Sequence, residues 1–138
     1  MALPAAGQSI QFESDQLQLE DKIGRVTLTG NVHAWNDTGW VKAERVEISY
    51  RKQGDTVEAL EAFGNVRLKY PKVYGESDYA YRDVKADTIL LEGNAYVKRR
   101  KDKFWADRIW VNLKTLEIRM NRDVRGSITP KSKVRTDE

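Results

Sequence analysis

Two short markers recur along this chain in fixed phase, and that regularity admits very few folds. A small residue followed by an acid occurs at Ser14-Asp15, Ala43-Glu44, Ser77-Asp78 and Ala106-Asp107, with the acids 29, 34 and 29 residues apart. Gly-Asn occurs at Gly30-Asn31, Gly64-Asn65 and Gly93-Asn94, and each of these asparagines precedes the next acid by 13 residues. Such phase locking means about four copies of one structural unit, with length changes confined to the connections.

Within each unit the apolar period is two. After the acids come Leu17 and Leu19, then Val46, Ile48 and Tyr50, then Ile109, Val111 and Leu113. Around Gly-Asn the pattern runs Leu60, Ala62, Val66, Leu68 and Tyr70, or Ile89, Leu91, Ala95 and Val97. Alternation over five to seven residues predicts half-buried strands, and a chain with only 3 prolines and many β-branched and aromatic residues agrees. No stretch carries a 3.6-residue stripe, so almost no helix is expected. Glycine takes positive φ freely and asparagine tolerates it, so Gly-Asn inside unbroken alternation predicts a corner or bulge. The small residue before each acid should face inward, with the acid accepting backbone N–H bonds at the kink. Hairpin turns are expected at Asn36-Asp37-Thr38-Gly39, Gln53-Gly54-Asp55 and Lys101-Asp102-Lys103. The segments so divided give an all-β stack of about sixteen short strands.

Composition narrows the function. The 138 residues suit one domain, with 33% charged and 40% hydrophobic residues. No apolar run approaches the ~20 residues of a membrane-spanning helix. There is no cysteine, which excludes disulfides and thiolate chemistry, and His33 is the only histidine. A multi-histidine metal centre or a Ser-His-Asp triad is therefore not expected. The repeated acids occur once per unit at a corner, unlike a paired-carboxylate site or a calcium loop. The chain reads as a non-enzyme without metal or cofactor, and its net charge of +3 permits an anionic partner. The run Lys98-Arg99-Arg100-Lys101-Asp102-Lys103 before Phe104-Trp105 has the makings of a nucleic-acid contact. No recognition pattern accompanies it, so a solvated hairpin is the simpler reading and no nucleic-acid partner is expected. Contact with the phosphates of an anionic ligand at a groove mouth is a third reading of the run. His33, Trp35, Trp40, Tyr79, Tyr81, Trp105 and Trp110 fall on the outward phase, and in-register stacking would align Glu47, Tyr81 and Trp110.

The stretches Ile10-Gln11-Phe12-Glu13-Ser14-Asp15, Val26-Thr27-Leu28-Thr29-Gly30-Asn31-Val32 and Leu90-Leu91-Glu92-Gly93-Asn94-Ala95-Tyr96 resemble the OstA-like family. The likeness covers roughly residues 8–128 and rests on the order and spacing of short motifs. It implies a twisted antiparallel β-jellyroll, open along one side, with an apolar interior groove. It also implies a periplasmic lipopolysaccharide carrier that bridges inner and outer membranes head to tail. The implied partners are other copies of the chain, an LptC-like inner-membrane jellyroll and an LptD-like outer-membrane jellyroll. Ala2-Leu3-Pro4-Ala5-Ala6-Gly7 behind Met1 reads as a mature start after signal removal, with residues 1–7 flexible and 129–138 a disordered tail.

On this resemblance the lipid groove would be lined by Ile10, Phe12, Leu17, Leu28, Val32, Ile48, Leu68, Arg82, Val84, Ile89, Leu91, Phe104 and Val111. Arg82 departs from the family pattern, which puts an aromatic at that place, and offers a cation to a phosphate instead. The same apolar residues would serve equally as a closed core. Ser9, Gln11 and Glu13 at one end, and Leu116, Ile118 and Met120 at the other, are expected on edge strands able to pair with neighbouring copies. Rival readings are an LptC-like or LptD N-terminal jellyroll of the same pathway, a self-assembling β-solenoid with a dry core, and, less well supported, a glycan-acting enzyme.

Overall fold

The computed structural model describes residues 9–51 and 56–130. They form β1 (Gln11–Glu13), β2 (Gln16–Glu20), β3 (Arg25–Trp35), β4 (Trp40–Arg51), β5 (Thr56–Tyr70), β6 (Val73–Asp83), β7 (Thr88–Arg99), β8 (Asp102–Asn112), β9 (Ile118–Asn121) and β10 (Arg125–Ser127). All pairings are antiparallel within one open sheet, in the order β1-β3-β4-β5-β6-β7-β8-β10, with β2 also on β3 and β9 also on β8. Helix among the described residues is limited to a 3-10 turn at Asp21–Ile23. The expected turn at Gln53-Gly54-Asp55 and the segments 1–7 and 131–138 lie outside the described residues.

The markers are the fold line. Every register shift that the sequence markers foretell is present: two residues, Gly-Asn, stand opposite one acid between Thr29 and Val32, Phe63 and Val66, and Glu92 and Ala95. Gly30, Gly64 and Gly93 take φ of +85, +84 and +84, and their asparagines +49, +51 and +48. That is the double left-handed step of a bulge, open to glycine and tolerable to asparagine. The acid of the preceding strand line lies directly over each glycine. A Cβ on Gly30 would meet the Asp15 carboxylate at 2.5 Å, and one on Gly93 the Asp78 carboxylate at 2.7 Å. The carboxylates accept the side-chain amides of Asn31 and Asn94, each at 3.1 Å, in place of the backbone N–H groups expected from sequence. The reason is position: an oxygen seated above the glycine reaches the next side chain first. Ala43, Ser77 and Ala106 are buried beside their acids, as their small size predicts.

A fourth corner lacks the marker. Arg122 and Asp123 occupy the Gly and Asn places with φ of +67 and +52, and the Asp107 amide donates to the Arg122 carbonyl at 2.9 Å, as Asp15 does to Gly30. Eight strand lines, each bent once, make the sixteen short segments that alternation predicts; hydrogen bonding continues through six of the bends, leaving ten strands.

Bending every line at the same level folds the sheet into two wings. The first wing holds β2, β9 and the parts of the long strands bearing Leu28, Val46, Ile48, Leu60, Ile89, Leu91, Ile109 and Val111. The second holds β1, β10 and the parts bearing Val32, Val41, Val66, Leu68, Val73, Val97 and Phe104. These inward faces meet in one apolar cluster. At about 25 cal/mol per Å² removed from water, that burial is the main force holding the wings together.

The corners generate a paired expectation. Gly93→Ala should cost about 1–3 kcal/mol, because an L side chain pays for positive φ and collides with Asp78. Arg122→Gly should instead stabilise by up to about 1 kcal/mol, since there the strain is already present. Urea unfolding of the two variants against the parent chain checks both signs.

Candidate functional site

The corners run along one side of the folded sheet, and the hairpin turns of the two wings face each other along the other. This second side is a seam with no strand pairing across it among the described residues. A cavity of about 320 Å³ opens there, near the lower end of the roughly 300–1,000 Å³ of small-molecule sites. Val57 and Leu60 of β5, with Val84 after β6, form one wall; Ala34, Trp35, Trp40, Val41 and Tyr70 form the other, and Ile10 closes an end. Lys85, Asp87, Lys114 and Asn36 stand at the rim.

Arg82 crosses this seam. It occupies an inward position, in register between Leu60 and Ile89, and its side chain is only 12% exposed. A charge so placed needs partners. Nη2 pairs with Asp87 Oδ1 at 2.9 Å, Nη1 donates to the Asp83 carbonyl at 3.1 Å, and the guanidinium lies 5.0 Å over the Tyr70 ring of the opposite wing. Burial pushes the Tyr70 hydroxyl pKa up, and Arg82 pulls it back part of the way.

A second arginine closes the seam further along. Arg99 donates from Nη1 to the Leu116 carbonyl at 3.2 Å across the gap and pairs with Asp102 at 3.2 Å. The Thr129 amide donates to Asp102 Oδ1 at 2.8 Å; that bond, then Arg99, holds the carboxyl below the usual carboxylate range. Asp102 therefore belongs to β8 and points inward. The hairpin expected over Lys101-Asp102-Lys103 turns at Arg100-Lys101 instead, with Arg100 at φ +58. The turn Asn36–Gly39 forms as expected, the Asn36 side chain accepting the Thr38 amide at 2.8 Å.

The thirteen expected groove residues divide into three sets. Ile10, Arg82 and Val84 line the cavity. Leu28, Val32, Ile48, Leu68, Ile89, Leu91, Phe104 and Val111 share the inward face and are packed against one another. Phe12 and Leu17 pair with Ala34 and Leu28 on that same face but are 42% and 50% exposed, because β1 and β2 are the first rung and no other described strand covers them. At the other end Ile118 and Met120 of β9 are half-buried, and Leu116 sits in the preceding turn at φ +65. Ser9 is exposed just before β1, whose Gln11 and Glu13 are exposed as well. Sequence reading missed Val57, Leu60 and Tyr70 as cavity walls, and missed that Trp35 and Trp40, outward by phase, curl around the strand ends to the mouth. Tyr70 carried a usable signal, an inward aromatic at a strand end facing the inward Arg82. Among the described residues no group of three or more His, Asp or Glu side chains is placed to hold a metal, and no helix is long and apolar enough to cross a membrane.

These features define a class: an open antiparallel jellyroll with an apolar cleft at its seam, cations at the cleft's rim and uncovered apolar rungs at its ends. Residues 11–117 match the family described as LptA/(LptD N-terminal domain) LPS transport protein, and the chain belongs to that family. It is 25% identical over 128 residues to lipopolysaccharide export system protein LptA of Escherichia coli K12, across 88% of this chain and 69% of that protein. The Shigella flexneri LptA matches to the same extent. The crystal structure of LptH, the LptA-homologous periplasmic component of the Pseudomonas aeruginosa lipopolysaccharide transport device, superposes with a TM-score of 0.82 at 15% identity. That match covers 91% of this chain and 98% of the other, and it establishes the fold.

The Arg82 cluster separates two kinds of damage. Asp87→Asn, which leaves the interior guanidinium without its counter-charge, should cost about 1–2 kcal/mol. Arg82→Met, which removes the charge and keeps the volume, should cost less than that. Denaturant titrations of both variants test the order.

Proposed function

We propose that this chain carries lipopolysaccharide through the periplasm, sheltering acyl chains between its wings and passing the molecule along a head-to-tail stack of jellyrolls. The observation that carries the reading is the seam cavity, apolar inside and cationic at the rim, which matches an acylated, phosphorylated amphiphile. Exposing an acyl chain to water costs about 0.8 kcal/mol per CH₂, so roughly 10 kcal/mol for a long one. An apolar cleft removes most of that cost without creating a deep trap, and transfer from a bilayer is then close to neutral. Direction has to come from outside, from an ATPase partner. Passage beyond the mouth requires the wings to part along the seam and expose Leu28, Ile48, Leu68, Leu91 and Val111. Among the described residues, what resists parting there is packing and the Arg82 and Arg99 bridges rather than a hydrogen-bonded ladder.

The ends supply the stacking surfaces. Phe12, Leu17 and Leu19 at the first rung, and Val124 and Ile128 near the last, are exposed apolar side chains beside unpaired strand edges. A neighbouring copy, or an LptC-like or LptD-like jellyroll, would cover them by β-augmentation, continuing both sheet and cleft in a non-closing assembly.

Photo-crosslinking residues placed at Val84, Leu91, Phe12 and, as an outward control, Tyr81 test the carrier in purified protein with lipopolysaccharide. Adducts at the three inward positions are expected; adducts at none of them, or equally at Tyr81, overturn the reading in favour of a dry solenoid. Stacking is tested separately. Light scattering should report assemblies that grow with concentration and vanish in Leu17→Glu. A parent chain that stays monomeric at every concentration and ignores related jellyrolls refutes it.

A further inference from the structure

The outer face of the second wing carries two adjacent rows of side chains. One reads His33, Lys42, Arg67, Glu76, Tyr96 and Trp105; the other reads Trp35, Trp40, Lys69, Tyr74, Lys98 and Lys103. The rings touch along and across strands: His33–Trp35 at 4.5 Å along β3, then Trp40–Tyr74 and Tyr74–Tyr96 each at 6.4 Å and Tyr96–Trp105 at 5.1 Å between strands, centroid to centroid. Lys42 lies 5.4 Å over the Trp40 ring. From β3 to β8 the two rows carry five cations against the acid Glu76, and Glu13 of β1 and Arg125 of β10 extend the first row by one charge of each sign. The Glu76 carboxylate accepts the Tyr74 hydroxyl at 2.7 Å. Desolvation and that bond push the Tyr74 pKa up to about 12, so this ring adds no negative charge to the face. The two matching outer rows of the first wing are different: Glu47, Glu61 and Glu92 balance Arg45, Arg108 and Arg119, so no excess of positive charge gathers there.

We propose that this aromatic and cationic face binds the phosphorylated saccharide of the same amphiphile whose acyl chains enter the seam cavity. Sugar C–H faces stack on π surfaces, and phosphates take charge-assisted hydrogen bonds from lysine and arginine. Continuity supports the choice of occupant. Trp35 and Trp40 line the cavity and also begin the platform, and a shallow depression holding His33, Lys69 and Pro71 joins the two around the Asn36–Gly39 turn. Single-stranded nucleic acid is a poorer match, since the rings pack on one another and leave no slot between them for a base.

The inference rests on the carrier reading, and calorimetry with two probes separates their fates. The first probe is deacylated lipopolysaccharide, which keeps its phosphorylated saccharide; the second is a fluorescent fatty acid for the cavity. The saccharide should bind the parent chain and weaken about tenfold in the doubly substituted Lys69→Ala/Lys98→Ala chain and in Trp105→Ala. None of these three residues lines the cavity, so fatty-acid binding should be unchanged and doubles as a folding check. Because both lysines are exposed, the double variant keeps the test valid even if Trp105→Ala fails to fold. Equal saccharide affinity in parent and variants, no binding by the parent, or equally tight binding of oligothymidylate or of phosphatidylglycerol vesicles overturns the proposal. Saccharide binding without fatty-acid binding overturns the carrier reading and leaves this face standing.

Discussion

A carboxylate resting where a glycine has no side chain is the contact on which the architecture depends. It occurs at Asp15 over Gly30, Glu44 over Gly64 and Asp78 over Gly93. Each such contact bends one pair of strand lines, and antiparallel register keeps the bends level across the sheet. A sheet creased along one line has no choice about its shape. Its two halves close on each other, and the alternate side chains of both become a single interior.

The crease also decides where anything can enter. One side of the folded sheet is continuous backbone; the other is a row of opposed turns held by Arg82 against Tyr70 and Arg99 against Leu116. Interior space appears on that weaker side, where strand ends diverge and large side chains from the two wings fail to interlock. An interior arginine is an expensive way to close a gap if stability alone mattered, since an apolar residue of the same volume avoids desolvating a charge. Its place at the cavity wall fits a protein that meets anionic amphiphiles.

Much of this was legible from the residues alone. Marker spacing fixed the repeat, alternation fixed which side chains face inward, and the Gly-Asn pairs fixed three of the corners. The fourth corner was invisible because Arg122-Asp123 adopts the same backbone without the residues that prefer it. The turn after β7 was misplaced by one position because Asp102 looks like a turn residue, yet its carboxylate is held inside by the Thr129 amide and Arg99. The cavity was harder to see. Period-two patterning says which face a residue occupies but not whether the opposite wing fills the space above it, so Leu91 and Val84 looked alike. Only the three-dimensional divergence of the turns distinguishes them. Trp35 and Trp40 likewise obey the outward phase and still reach the mouth, because strand ends twist.

Among the described residues, each strand line in this sheet pairs only with the line before it and the line after it in the chain. No segment waits for a distant one. A polypeptide delivered lengthwise through a narrow conduit, N-terminus leading, can therefore lay down its rungs in the order of their arrival, each templated by its predecessor. Chain growth and shape acquisition then proceed in one direction, like courses of brick.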